Sequence, residues 1–169
     1  MKSTPEIPAD ARGLRAVVVA SAYHAEVTDA LVRGARDAFA AAGGDAGAVD
    51  VVRAPGAFEV PMLVDRALAT GAFDVAVGVG CIVRGETVHD RHLGQAVTQE
   101  LLAIAVRRAR PVGLAVLTVE DVAQAHARAG GALGNKGAEA MSAAVATHNA
   151  SRALDASAAL DARGPGAPR

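Results

Sequence analysis

The stretch from Asp74 to His89, DVAVGVGCIVRGETVH, joins an apolar run to a glycine-containing turn and a histidine. The nearly uniform apolar character of 74–83 is typical of a central strand in a parallel sheet covered on both faces. Gly85 gives the turn conformational freedom, and His89 begins a segment with helical spacing. Backbone N–H groups at a helix start attract anions. The stretch therefore predicts a phosphate or oxyanion site beside a proton-transfer group.

Outward from this stretch, short apolar runs alternate with segments whose apolar residues recur every three or four positions. The first pattern predicts strands and the second predicts helices. The predicted strands cover 14–20, 49–53, 74–83 and 112–118. The predicted helices cover 26–42, 58–70, 89–108, 120–129 and 135–154. This alternation predicts an α/β fold, a doubly wound sandwich around a parallel sheet.

The composition narrows the class of protein. The chain has 169 residues and a net charge of −1, which suits one domain and gives no basic field that would favour nucleic acid. Its single cysteine excludes an internal disulfide and favours a reducing compartment. No apolar run approaches the ~18 residues that span a membrane. We expect a cytoplasmic protein with a flexible segment over 1–12, a single domain over 13–155 and a disordered Ala/Gly/Pro-rich tail over 156–169.

Ligands of open α/β sheets bind beyond the carboxyl ends of the strands, where this chain places its most distinctive residues. His89 can transfer protons, since an imidazole titrates near neutral pH. Residues 84–87 can bind an anion through backbone amides and the Thr87 hydroxyl. The plainer interpretations are an exposed histidine at a helix start and an ordinary turn. His92 lies one helical turn after His89, but no third ligand at a suitable spacing supports a metal site.

Four further residues have a functional interpretation, and three of them also have a plainer one. Tyr23, the only tyrosine, can stack on a planar heterocycle or can pack partly buried. Glu59 can accept hydrogen bonds from ligand hydroxyls or can interact with a helix dipole. Arg128 and Lys136 can form charge-assisted bonds to a phosphate, although a charge such as Arg128 is commonly solvated on a helix.

Several blocks taken together resemble the lumazine synthase family in order and spacing, from about Leu14 to Leu154. These blocks are Pro55–Pro61, Gly80–His89, Leu117–Thr118, Arg128–Gly130 and Gly134–Gly137. The resemblance implies a flavodoxin-like three-layer α/β/α sandwich with a four-stranded parallel sheet core. It implies the condensation of 5-amino-6-(D-ribitylamino)uracil with 3,4-dihydroxy-2-butanone 4-phosphate to 6,7-dimethyl-8-ribityllumazine in riboflavin biosynthesis. Phosphate and water are released, and no cofactor or metal is required.

The resemblance also implies roles for individual residues. Tyr23 stacks on the pyrimidine ring, Glu59 accepts hydrogen bonds from ribityl hydroxyls, and His89 transfers protons. The ribityl side is lined by Ala57, Phe58 and Glu59. The pyrimidine is bordered by Cys81, Ile82 and Val83. The butanone phosphate is held by Glu86, Thr87 and Arg128, and Lys136 supports the site. Leu114 and Arg128 come from the neighbouring subunit.

Three positions depart from the family pattern, and two other functions remain open. Ala22-Tyr23-His24 stands where Arg-Phe-Asn is common, Asp90 stands where an aromatic often follows the histidine, and Leu114 stands where phenylalanine is frequent. One alternative is an archaeal-type riboflavin synthase, against which the complete 85–89 and 135–137 blocks argue. The other alternative is a non-catalytic shell-forming or flavin-binding scaffold.

The resemblance implies a homo-oligomer of pentamers. The short link between Gly130 and Gly134 resembles the forms that build an icosahedral capsid, with a free pentamer or a decamer as the alternatives. Riboflavin synthase is an expected functional partner. Nucleic acid and membrane are not expected partners.

Overall fold

The apolar run after Asp74 forms an inner strand of a parallel sheet in the computed structural model, which describes residues 9–161. The strands are β1 (Ala16–Ser21), β2 (Val49–Ala54), β3 (Val75–Val83) and β4 (Val112–Val119). Their spatial order is β2-β1-β3-β4, and every neighbouring pair is parallel. The expected four-stranded parallel sheet is confirmed.

Five helices connect and cover these strands. They are α1 (Ala25–Ala41), α2 (Val60–Ala69), α3 (His89–Arg108), α4 (Val122–Arg128) and α5 (Lys136–Asp161). Short 3-10 turns lie at Ala46–Ala48 and Ala57–Glu59. A small antiparallel hairpin, β5 (Ala129–Gly131) and β6 (Gly134–Asn135), separates α4 from α5. This hairpin is absent from the sequence prediction.

The core lies in two layers, one on each face of the sheet. Val18 of β1 packs in the layer that contains Leu31 and Phe39 of α1 and Met141 of α5. Its neighbours Val17 and Val19 belong to the opposite layer, with α2 and α3. Successive side chains of a strand point to opposite faces, so uniformly apolar strands need cover on both sides. The three-layer α/β/α sandwich of flavodoxin-like type is therefore confirmed.

The predicted helix 120–129 is too long at both ends. Asp121 is the N-cap, and its carboxylate accepts a hydrogen bond from the Gln124 N–H at 2.8 Å. A side-chain oxygen at the N-cap accepts a hydrogen bond from a backbone N–H of the first turn, and this marks where the helix begins. At the other end Ala129 pairs with Asn135 in the hairpin. The bounds of α3 agree with the prediction at both ends.

Two expectations for the chain ends need correction. The predicted disordered tail over 156–169 begins too early in the sequence, because α5 continues to Asp161. The alanine-rich stretch there has high helix propensity. The flexible segment 1–12 is wrong for 9–12, since Ala11 is fully buried and the Asp10 N–H donates to Asn149 Oδ1 at 2.9 Å. Residues 1–8 and 162–169 lie outside the described residues.

Candidate functional site

A cleft of about 440 Å³ opens at the carboxyl ends of β1, β2 and β3. The register explains why the three loops meet there. Ser21 at the end of β1 pairs with Ala54 at the end of β2, and Ala20 pairs with Val79 of β3. The first two strands therefore end level with each other, and β3 continues past them. The predicted residues that line the cleft are Tyr23, Ala57, Phe58, Glu59, Cys81, Ile82, Val83, Thr87 and His89.

Two exposed aromatic rings stand at the mouth of the cleft. Tyr23 is 69% exposed and Phe58 is 68% exposed, although isolated rings of this size usually bury much of their surface. The Tyr23 N–H donates to Ser21 Oγ at 3.2 Å, which ties the loop back to β1. Such rings offer flat apolar surface to a planar ligand.

Gly56 brings the Tyr23 ring and the Glu59 carboxylate side by side. A Cβ built at Gly56 would lie 3.0 Å from Glu59 Oε2 and 3.9 Å from Tyr23 Cδ2. A side chain at this position would therefore displace the carboxylate. Glu59 lies in the 3-10 turn that precedes α2. The arrangement places a hydrogen-bond acceptor next to an aromatic surface.

The end of β3 forms the inner wall of the cleft. Cys81 is 4% exposed, and burial raises the pKa of its thiol. A thiol held in its neutral form is a poor nucleophile and a poor metal ligand. Within residues 9–161 no group of three or more histidine, cysteine, aspartate or glutamate side chains is arranged to hold a metal ion.

The turn between β3 and α3 leaves backbone donors facing open space. No described atom outside the local backbone lies within 4 Å of a Cβ built at Gly85. Thr87 Oγ1 accepts a long 3.4 Å hydrogen bond from the His89 N–H, and no described side chain caps α3 at its N-cap, Val88. The first N–H groups of a helix lack intrahelical partners. In α3 the Arg91 N–H bonds to the Val88 carbonyl, which leaves the Asp90 N–H available to an anion. The His89 imidazole lies beside it.

Arg84 contributes a positive charge at the edge of this turn. Its Nη1 donates to Glu120 Oε2 at 2.6 Å. The Glu120 carboxylate raises the pKa of the Arg84 guanidinium, with a smaller contribution from Asp90. The guanidinium is therefore directed towards the loop after β4 rather than into the cleft.

Four predicted residues lie outside the cleft of a single chain. Glu86 is exposed in the turn but does not line the cavity. Leu114 is 47% exposed on the edge strand β4. Arg128 Nη1 donates to the Gln124 carbonyl at 3.0 Å, and Lys136 Nζ pairs with Glu139 Oε2 at 2.6 Å.

The cleft also contains residues that the sequence prediction did not select. These are His24, Gly56, Asp90 and Leu93. His24 follows Tyr23, Asp90 follows His89, and Leu93 lies one helical turn after His89. Their proximity in the sequence to predicted site residues was the signal that could have identified them. His24 adopts a left-handed conformation, with φ of 53°, which is uncommon for a residue other than glycine.

In the described part of the chain, no helix has both the length and the apolar character to cross a bilayer. The parallel sheet and the cleft beyond its strand ends define a doubly wound α/β protein with a small-molecule site.

The family model described as 6,7-dimethyl-8-ribityllumazine synthase matches residues 13–152, and the chain belongs to that family. Proteins of the same description are similar over most of their length. One from Kineococcus radiotolerans is 46% identical, over 85% of this chain and 89% of the relative. One from Xanthomonas campestris is 43% identical, over 78% of this chain and 85% of the relative. One from Campylobacter curvus is 40% identical, over 82% of this chain and 89% of the relative.

Proposed function

We propose that the chain condenses 5-amino-6-(D-ribitylamino)uracil with 3,4-dihydroxy-2-butanone 4-phosphate to form 6,7-dimethyl-8-ribityllumazine. Phosphate and water are the other products. This is the reaction that membership in the family implies, and it makes the chain a transferase of riboflavin biosynthesis. The observation that supports it best is the presence of Tyr23, Glu59, Thr87 and His89 in one cleft.

The reaction needs a planar-ring site, a hydroxyl-binding site and an anion site within a few ångströms of one another. The Tyr23 ring provides a stacking surface for the pyrimidine. Glu59, next to it, accepts hydrogen bonds from the ribityl hydroxyls. The free amides of the 85–87 turn and the start of α3 hold the phosphate. Holding both substrates in one orientation supplies much of the rate.

His89 moves the protons in this proposal. Attack of the 5-amino group on the butanone carbonyl gives a carbinolamine, which loses water to form an imine. Loss of phosphate and closure of the second ring require further proton transfers at nitrogen, carbon and oxygen. His89 is exposed at the start of α3 and borders the cleft, so its imidazole can reach these atoms. A positioned acid–base group contributes roughly 10²–10⁴-fold in rate.

The proposal places Leu114 and Arg128 in the cleft of a neighbouring subunit, and Lys136 supports this site. The subunits form a pentamer, and pentamers build an icosahedral shell. In support, a single chain leaves large apolar side chains exposed at the cleft and on α2 and α3. These are Phe58, Met62, Leu102 and Val106, between 67% and 74% exposed. A sedimentation mass of one subunit would contradict the assembly. We also propose a cytoplasmic location.

The test is an absorbance assay of lumazine formation with wild type, His89→Ala and His92→Ala. His92 is exposed one turn further along α3 and does not line the cleft, so its variant is the matched control. We expect product from wild type and from His92→Ala, and a rate lower by roughly 10²-fold or more in His89→Ala. A folded, assembled wild type that makes no product would overturn the enzyme proposal and favour the non-catalytic scaffold.

A further inference from the structure

The cleft contains a buried carboxylate that the proposed reaction does not yet use. Asp90 is only 9% exposed, yet it is one of the residues that line the cleft. It lies in the first turn of α3, directly after His89. One turn further on, a Cβ built at Gly94 would lie 2.9 Å from Thr118 Oγ1. Asp90 therefore lies on the face of α3 that packs towards the sheet, rather than on its solvent face.

The Asp90 carboxylate has no protein donor in the part of the chain that the structure describes. No hydrogen bond and no ion pair between residues 9 and 161 reaches its oxygens. In the same residues, every fully buried side-chain polar atom has a partner. The Asp90 oxygens have none, so neither oxygen is fully buried. The open space that Asp90 borders is the cleft.

Arg84, a cation whose pKa responds to the Asp90 charge, is held elsewhere. Asp90 makes a small contribution to the raised pKa of Arg84, but the main contribution comes from Glu120. The Arg84 guanidinium donates to Glu120 at 2.6 Å. The dipole of α3 favours a carboxylate in its first turn, but a largely buried carboxylate still needs hydrogen-bond donors. Within a single chain the donor set around Asp90 is incomplete.

We propose that Asp90 is a substrate-contact residue that accepts a hydrogen bond from an N–H or O–H group of the ribitylaminouracil. This inference rests on the proposed function. That substrate carries amine, ring N–H and hydroxyl donors, which a carboxylate binds well. The phosphate of the other substrate is a dianion and offers acceptors only, so Asp90 repels it. Asp90 thus distinguishes the two substrates by charge, because only the butanone phosphate carries an anionic group.

The experiment measures KM for each substrate in wild type, Asp90→Asn, Asp90→Ala and Glu100→Gln. Asp90→Asn keeps the shape and removes the charge, and Asp90→Ala removes the acceptor. Glu100→Gln is the matched control, because Glu100 lies on the same helix, is exposed and pairs with Arg107 at 2.9 Å. Circular dichroism and sedimentation check that each variant is folded and assembled.

We expect Asp90→Asn to raise KM for the ribitylaminouracil about tenfold, because hydrogen bonds to a charged acceptor are about twice as strong as neutral ones. Asp90→Ala should raise it further, and KM for the butanone phosphate should stay the same or fall in both variants. Glu100→Gln should match wild type.

Two results would overturn the inference while the proposed function stands. One is an active Asp90→Asn enzyme whose KM for the ribitylaminouracil is within about twofold of wild type. The other is an equal rise in both KM values, which would indicate a general effect on the fold of the cleft. An inactive wild type would instead overturn the proposed function itself, so the two failures are distinguishable.

Discussion

The cleft and the junction around Asn135 are built in opposite ways. In the cleft, Tyr23 and Phe58 are more than two-thirds exposed, and Gly85 has open space around it. At the junction between α1, the hairpin and α5, backbones are in close contact. A Cβ at Gly34 would overlap the Asn135 side chain, and a Cβ at Gly137 would overlap the Leu31 carbonyl.

Asn135 connects three segments at this junction, which we call the Asn135 junction (Ala30–Gly34 and 129–138). Its Oδ1 accepts hydrogen bonds from the Gly137 N–H at 2.9 Å and the Ala138 N–H at 3.1 Å, which caps α5. Its Nδ2 donates to the Ala30 carbonyl at 2.9 Å, which joins α5 to α1. The comparison teaches that the cleft leaves space for other side chains at Gly85, whereas Gly34 and Gly137 of the junction have no room for even one methyl group.

The largest effect is expected for Gly137→Ala. The new methyl group would meet the Leu31 backbone, which cannot move without shifting α1, so we expect the free energy of unfolding to fall by about 3 kcal/mol. The gain in helix propensity, about 1 kcal/mol, only partly offsets this loss. The measurement is urea unfolding at one fixed protein concentration, because assembly couples to stability.

Gly85→Ala is the control for this measurement, since its methyl group meets open space. It should leave the unfolding midpoint unchanged or slightly higher. Equal midpoints for the two variants would show that the junction relaxes as easily as the cleft, and the contrast between the regions would not hold.

Asn135→Ala should have the second-largest effect. It removes the cap of α5 and the bond to Ala30 together, so we expect a loss of about 2 kcal/mol in unfolding free energy. Asn135→Asp keeps the accepting oxygen, replaces the Nδ2 donor by a second oxygen and adds a negative charge that the dipole of α5 favours. It should therefore lose about 1 kcal/mol or less, measured by the same urea titration. A larger loss for aspartate than for alanine would contradict the assigned cap.

Tyr23→Ala tests the cleft side of the comparison. Because the ring is 69% exposed, its removal should change the unfolding free energy by less than about 0.5 kcal/mol. The lost stacking should raise KM for the ribitylaminouracil about tenfold in steady-state kinetics. Tyr23→Phe, which keeps the ring, should stay close to wild type. A clear loss of stability without a change in KM would assign the ring to packing.

The smallest effect concerns the ion pairs that join α2 to α3 on the cleft side of the sheet. A hydrogen bond from Arg108, with help from Arg107, lowers the pKa of Asp65 to about 2. The carboxylate stabilises the fold above its ordinary pKa of 3.8, and this contribution is lost as the pH falls from 3.8 to about 2. We expect these ion pairs to contribute about 1 kcal/mol to the free energy of unfolding, because water still reaches them.

The measurement compares the unfolding free energies of wild type and Asp65→Asn between pH 2 and pH 5. The difference should be present at pH 5 and should shrink towards pH 2. A difference that does not depend on pH would mean that Asp65 contributes through packing rather than through charge.

The periodic parts of the chain were predictable, and the irregular parts were not. The limits of α3 followed from its apolar spacing, whereas the hairpin at 129–135 has few apolar residues and is held by Asn135 contacts with Ala30, more than a hundred residues away. Asp90 was not selected as a site residue, because its burial depends on the sheet that covers its face of α3. Arg128 and Lys136 pair with residues of their own helices in one chain, so their proposed roles depend on a neighbouring subunit.

The sequence by itself determined the order of the four sheet strands and the five helices, because periodicity is a property of short segments. It also placed the 85–89 turn at the end of a buried strand. Only the tertiary structure decided that Tyr23, Glu59 and His89 share one cleft and that Asp90 opens into it. Tyr23, Glu59 and His89 are far apart along the chain, and their proximity depends on the register of β1, β2 and β3 and on how closely α2 and α3 pack on the sheet.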